Sequence, residues 1–265
     1  MLECKNLSAF YLSGKEEKTV LKDLSIQLNK NEFVCLAGPN GSGKTTLLKL
    51  ACGLEGTKRS PLKISGDSTF QIDGSKVCDL KEKERARRIA YLQQSETSAW
   101  DTTVLQMILT GRFAWSGTNY TKDDIRIARE AAELLEISNL LNRNIYSLSG
   151  GEFQKVRIAR AVCQQTDYIL LDEPCAALDI SYEPKLLEIL KNLSQEQNKG
   201  ILISIHDLNL ACLFADRIIL LPPAKPAICG AVHEIITEEN LEKTYGVPLK
   251  IESGTMITFC TKGAL

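Results

Sequence analysis

The chain has 265 residues, 44% hydrophobic and 25% charged, with 32 basic against 33 acidic side chains and a net charge of -1. These values exclude a disordered chain, which would carry fewer apolar residues and a larger charge imbalance. They give no global reason to expect nucleic-acid binding, and the length suffices for a sizeable core without disulfide support.

The nine cysteines are scattered and none pairs at Cys-x-x-Cys spacing, so most are expected as small buried apolar residues in a reducing cell, Cys35 among them. With only His206 and His233 to join them, a zinc site is not expected. No stretch approaches the roughly 20 apolar residues of a membrane span. Ile218–Leu221 is stopped by Pro222 and Pro223, and Ile169–Leu171 by Asp172 and Glu173. Met1–Asn6 lacks the apolar core of a signal peptide. The expectation is a cytoplasmic protein whose membrane role, if any, comes through a partner.

In chain order, Leu24, Ile26 and Leu28 alternate with polar residues as in a half-exposed strand. Phe33–Ala37 is a continuous apolar run, as in a strand covered on both faces. Thr46–Leu50 reads as a helix. Residues 58–74 carry short strands and turns, with Phe70 and Ile72 alternating before Asp73-Gly74. From about Ser95 to Ser149 the pattern is helical, clearest over Asp123–Glu136. Glu152–Gln165 sets Phe153, Val156, Ala159 and Cys163 on one helix face. Tyr168–Leu171, Ile201–Ile205 and Arg217–Leu221 are further buried strands. Pro222–Pro226 turns the chain into a C-terminal segment. Strands alternating with helices predict an α/β fold with a largely parallel sheet, interrupted by a helical insertion.

Gly38-Pro39-Asn40-Gly41-Ser42-Gly43-Lys44-Thr45 fits the phosphate-loop pattern G-x-x-x-x-G-K-[ST] in full, with a strand before it and a helix after it. Glycines let the backbone wrap phosphate, and amides converge on the anion at a helix N-terminus. Lys44 is expected at the β- and γ-phosphates and Thr45 on Mg²⁺. Asp172 and Glu173 end an apolar strand, where ligands bind in open α/β sheets. Asp172 is expected to hold Mg²⁺, mostly through water, and Glu173 to act as general base on the attacking water.

Leu148-Ser149-Gly150-Gly151-Glu152 resembles the signature motif of ATP-binding-cassette (ABC) proteins. The resemblance continues through Arg157-Ile158-Ala159-Arg160-Ala161, Asp172-Glu173-Pro174 and Ala177-Leu178-Asp179, the D-loop. Gln94 resembles the family's Q-loop glutamine, although Gln93 stands where many relatives carry proline; the expected effect is a local change in loop stiffness. His206 resembles the switch histidine. Tyr11 falls where the family stacks an aromatic ring on adenine, and neighbouring Phe10 could exchange roles with it.

The resemblance implies a P-loop NTPase (RecA-like) α/β core with an N-terminal antiparallel β subdomain and an inserted α-helical subdomain. Residues 1–94 and 159–265 would form the nucleotide-binding core, and 95–158 the insertion carrying the signature motif. It implies ATP and Mg²⁺ as cofactors. Glu173, His206, Gln94 and Lys44 would be catalytic, and Thr45, Gln94 and Asp172 would serve the metal. Nucleotide binding would fall to Tyr11, Gly38, Pro39, Asn40, Gly41, Ser42, Gly43, Lys44, Thr45, Thr46 and Asp179, with Ser149, Gly150 and Gly151 completing the site of a second subunit. ATP would then hold two subunits together until hydrolysis.

Arg85–Leu92, His206–Arg217 and Ile235–Val247 are similar to the ATPases of iron–siderophore, haem and cobalamin importers. That similarity implies a homodimer or a homologous second subunit, transmembrane permease subunits and, indirectly, a substrate-binding protein, with no nucleic acid. The chain would lie on the cytoplasmic face of the membrane. Two stretches depart from those relatives: Glu55–Gly66 is longer, and Leu221–Gly230 carries prolines in place of Asp-Gly turns. A Zn/Mn-type or other importer remains open. So does a soluble cassette of repair, translation or Fe–S assembly, although the long insertions, second cassette or basic surfaces of repair and translation cassettes are not evident.

Overall fold

The computed structural model describes residues 1–13, 16–56, 60–65, 69–96, 101–252 and 256–259. The strands are β1 (Leu2–Ser13), β2 (Glu16–Leu28), β3 (Glu32–Ala37), β4 (Leu62–Ile64), β5 (Gln71–Ile72), β6 (Ser75–Lys76), β7 (Ile89–Leu92), β8 (Tyr168–Leu171), β9 (Gly200–Ser204), β10 (Arg217–Leu220), β11 (Ile228–Ala231), β12 (Leu249–Glu252) and β13 (Met256–Phe259). The helices are α1 (Lys44–Ala51), α2 (Glu82–Arg88), α3 (Val104–Leu109), α4 (Phe113–Ser116), α5 (Lys122–Leu134), α6 (Gly150–Cys163), α7 (Glu183–Glu196), α8 (Leu208–Phe214), α9 (Val232–Ile235) and α10 (Glu238–Tyr245).

The central sheet runs β11-β10-β3-β9-β8-β7. Its pairs from β10 to β7 are parallel, and β11 closes one edge antiparallel to β10. Alternation along each strand divides the core between the two faces. Phe33, Cys35 and Ala37 of β3, Ile169 and Leu171 of β8, and Ile201 and Ile203 of β9 lie on the face packed with α6 and α7. Val34 and Leu36, Tyr168 and Leu170, and Leu202 face α1 and an antiparallel sheet. That second sheet has the order β2-β1-β5-β6, with β4 also on β1. Both faces being covered is why these strands read as unbroken apolar runs.

The turn signals are met. Asp73 takes φ 50 and Gly74 φ 81 between β5 and β6. Ala224 takes φ 52 in the proline-rich turn that carries β10 into β11. The stretch from Glu55 to Gly66 lies in part outside the described residues, as do the first residues of the expected helical insertion. No helix among the described residues is long and apolar enough to cross a membrane.

Helix α6 differs from its expected single apolar face. Phe153 is only half-buried, whereas Gln154, Arg157, Ile158, Ala161 and Val162 are buried beside Val156, Ala159 and Cys163. The helix is covered on several sides because it lies between α3 and α5 and also reaches β7. It is continuous from Gly150 to Cys163, so the expected division at 158/159 falls within one hydrogen-bonded helix.

The segment from α4 to α6 has a polar anchor of its own. Asp124, on the first turn of α5, accepts from Arg112 Nε at 2.8 Å, Ser116 Oγ at 2.6 Å and the Thr121 backbone and hydroxyl at 2.9 and 2.8 Å. The same guanidinium donates to Cys163 O and Gln165 Oε1. Thus α4, α5 and the end of α6 meet at one ion pair whose carboxylate is saturated, with both partners buried.

Candidate active site

The phosphate loop leaves β3 and enters α1 through Gly43, which takes φ 103; a Cβ there would sit 2.9 Å from the Leu21 side chain. Only glycine meets both conditions without strain. Lys44 is buried and turns back along the loop, donating to Gly38 O at 2.8 Å and Pro39 O at 3.3 Å. Burial pulls its ammonium below the usual lysine pKa, and the charges of Glu173 and Asp172 work against that shift.

A cavity of about 380 Å³ opens above the loop. Its lining includes Tyr11 and Lys18 from the antiparallel sheet, Asn40, Gly41, Gly43, Lys44, Thr45 and Thr46 from the loop and α1, and Gln94 and Glu173 from the ends of β7 and β8. Tyr11, not Phe10, lines it. Gly38 and Pro39 stand behind the cavity as acceptors for Lys44. Ser42 is buried there, its hydroxyl without a hydrogen-bond partner among the described residues.

Behind Thr45 lies Asp172, fully buried. Thr45 Oγ1 donates to Asp172 Oδ2 at 2.6 Å, and Ser204 Oγ donates to Oδ1 at 2.7 Å. Ser204 Oγ also accepts from the Glu173 amide at 2.8 Å. One hydroxyl therefore fixes two consecutive residues. Ser204 was not singled out from the sequence; its signal was a serine inside the apolar run Ile201–Ile205.

Glu173 has φ 49, a left-handed conformation that costs a non-glycine residue about 1–3 kcal/mol. It aims the carboxylate between two partners. Gln94 Nε2 donates to Oε2 at 2.8 Å, and His206 Nε2 lies 2.8 Å from Oε1. A neutral imidazole protonated at Nε2 makes the second contact an N–H···O bond. Three residues widely separated in sequence are thus joined at the mouth of the cavity.

Ser149, Gly150, Gly151 and Asp179 do not line this cavity. Ser149 caps α6, its hydroxyl accepting from the Glu152 amide at 3.2 Å while Glu152 Oε2 accepts from the Ser149 amide at 2.8 Å. Ser149, Gly150 and Asp179 are exposed. The D-loop runs close by: a Cβ on Gly151 would lie 3.1 Å from Ala177 O.

The family model described as "ABC transporter" matches residues 21–176, a segment that holds the phosphate loop, Gln94, the Ser149 cap and Glu173. This chain belongs to the ABC transporter family. It is 34% identical over 236 residues to the ferric enterobactin transport ATP-binding protein FepC of Escherichia coli (strain K12), covering 88% of this chain and 84% of that protein. It superimposes on an inward-facing conformation of a metal-chelate type ABC transporter, whose published description calls that assignment provisional, with TM-score 0.79 and 27% identity, over 98% of this chain and 96% of that one. It also resembles the dimeric post-hydrolysis state of the ATP-binding cassette MJ0796 bound to ADP and Pi, with TM-score 0.76 and 30% identity, over 88% and 99% of the two chains. The ABC protein described here is a nucleotide-using ATPase with the P-loop NTPase fold. Its matched segment ends before His206, which the geometry nonetheless joins to Glu173.

Proposed function

We propose that this ABC ATPase drives uptake of an iron chelate, a siderophore complex, haem or cobalamin, through a partner permease on the cytoplasmic face of the membrane. The observation that carries the mechanism is the pairing of Glu173 with Gln94 and His206 beside the Lys44 and Thr45 cavity. The substrate class rests on likeness to the ferric enterobactin and metal-chelate proteins.

In this reading the phosphate-loop amides and Lys44 bind the β- and γ-phosphates, and Tyr11 stacks on the base. The Thr45 hydroxyl and Asp172 carboxylate, with the Gln94 amide oxygen, are hard oxygen donors of the kind Mg²⁺ prefers, and their adjacency at 2.6 Å fits such a site. Mg²⁺ bound there supplies charge neutralisation on the phosphate oxygens. Glu173 takes the proton of the attacking water, while Gln94 and His206 hold both of its oxygens in register. Ser149, Gly150 and Asp179, exposed on the same chain, and half-buried Gly151 meet the nucleotide of a second subunit, where the α6 N-terminus favours the γ-phosphate. Residues 95–158 are read as the inserted subdomain that carries this surface.

The test is co-purification with a polytopic permease, followed by ATPase assay with that permease's binding protein. Stimulation by an iron chelate, haem or cobalamin is expected. Stimulation only by Zn²⁺ or Mn²⁺, or no permease partner at all, overturns the substrate class or the transport role respectively.

A further inference from the structure

The mechanism uses Gln94 and Glu173 but leaves unexplained what holds their two segments at a fixed separation. Gln94 lies on a loop that follows the edge strand β7. Glu173 sits on a strained turn. Neither segment is rigid by its own sequence.

Two buried side chains on α6 bridge them. Arg157 donates through Nη2 to Gln93 O and through Nη1 to Gln154 Oε1 at 2.6 Å. Gln154 donates through Nε2 to Pro174 O at 2.9 Å. The chain of contacts starts one residue before Gln94 and ends one residue after Glu173. The Gln94–Glu173 hydrogen bond closes it into a ring. Arg157 and Gln154 are each 4% exposed, so solvent competes little for these bonds.

A second tie anchors the same loop. Glu96 receives both terminal nitrogens of Arg160, at 2.7 and 2.6 Å, and Arg157 Nε at 3.4 Å. Burial alone would raise the Glu96 pKa, but the hydrogen bonds and charges of the two arginines override it and hold the carboxylate below its usual range. The pair keeps Arg157 aimed at Gln93.

We propose that Arg157 and Gln154 are positioning residues for hydrolysis, setting the Gln94–Glu173 contact from the signature helix. Because α6 begins at Ser149, whatever docks on that cap moves the helix that holds both segments. The inference rests on Gln94 and Glu173 having the roles proposed above.

The experiment is a kinetic double-mutant cycle on the full-length chain, with kcat and KM for ATP measured for Arg157→Met, Gln94→Ala and both together. Arg157→Met is expected to lower kcat about tenfold or more while KM changes less than about threefold, because the lost contacts act on the hydrolytic step. In the Gln94→Ala background the same change is expected to cost less than about twofold, since the contact it sets is already gone. A merely structural arginine would cost the same in both backgrounds, and that additivity overturns the proposal. So does an unchanged kcat in Arg157→Met. An unchanged kcat in Gln94→Ala overturns instead the role assigned to Gln94, and the relay falls with it. Should Arg157→Met fail to fold, Gln154→Met cuts the other half of the bridge without removing a buried charge, and is judged by the same non-additivity.

Discussion

Two buried ionic sites in this chain are built to opposite rules. At Asp124, both carboxylate oxygens are saturated by protein donors, the arginine donates through Nε and Nη1 to three protein acceptors, and the backbone around them is an ordinary capped helix start. At the nucleotide site, Lys44 donates to two loop carbonyls, the Ser42 hydroxyl has no partner among the described residues, and Glu173 is held in a strained conformation. Burial of charge is costly in both places. Saturation marks the site that serves folding. Incomplete saturation and strain mark the site that serves a ligand.

The sharpest break of that comparison is Glu173→Gln. It preserves shape but turns one of the two accepting oxygens into a donating amide, and it removes the proposed base. Turnover is expected to fall by about 10²–10⁴-fold, with ATP binding kept and an ATP-bound dimer trapped. ATPase assay and size-exclusion chromatography with ATP report both. Wild-type turnover in this variant would remove Glu173 from its proposed role.

The same amide substitution at the saturated site should do the reverse. Asp124→Asn leaves Arg112 buried without its counter-charge, and a loss of about 3 kcal/mol is expected in urea unfolding, with KM for ATP unchanged. Its pH dependence follows from the shift at Asp124. Burial opposes the charged form, but bonds from Ser116, Arg112 and Thr121 override it and place the carboxyl below the usual range. A depressed acid contributes its full stability above the unfolded pKa of about 3.9 and loses it as pH falls through the folded value. The gap between wild type and Asp124→Asn should therefore be constant near neutrality and narrow only below about pH 4. A gap that closes between pH 7 and 5 would show that another group carries the effect.

What could be read in the sequence divides along the same line. The phosphate loop, Asp172-Glu173 and the strand alternation were legible because each is local: a few consecutive residues whose chemistry permits few alternatives. The antiparallel sheet was seen only in fragments, since its long strands are bulged at Cys4, Leu7 and Ala9 and lose a clean period. Ser204, Gln154 and Arg157 were missed because their partners Asp172, Pro174 and Gln93 lie far away in the chain, and Lys18 because only the fold brings it to the cavity. Arg157 in particular is not among Phe153, Val156, Ala159 and Cys163, the apolar face read from the sequence. It is buried because the Q-loop folds over it, a tertiary fact that no local pattern carries.

Ser149 belongs to both kinds of site, and it gives the finest discrimination. Within its own chain it is satisfied, closing a capping box with Glu152. Yet it is exposed at a helix N-terminus, the place where an incoming phosphate is favoured. Ser149→Ala is expected to lower stability by about 1 kcal/mol, the ordinary value of such a cap, leave ATP binding by a single chain intact and weaken ATP-dependent dimerisation. Ser149→Arg adds bulk and charge at the same point and should abolish dimerisation. Sedimentation of the two variants with ATP separates the roles. If Ser149 is only a cap, both variants lose stability and both still dimerise, and the shared-site reading fails. If it also meets the partner's nucleotide, dimerisation falls in order from wild type to alanine to arginine, although the two variants differ little in fold stability.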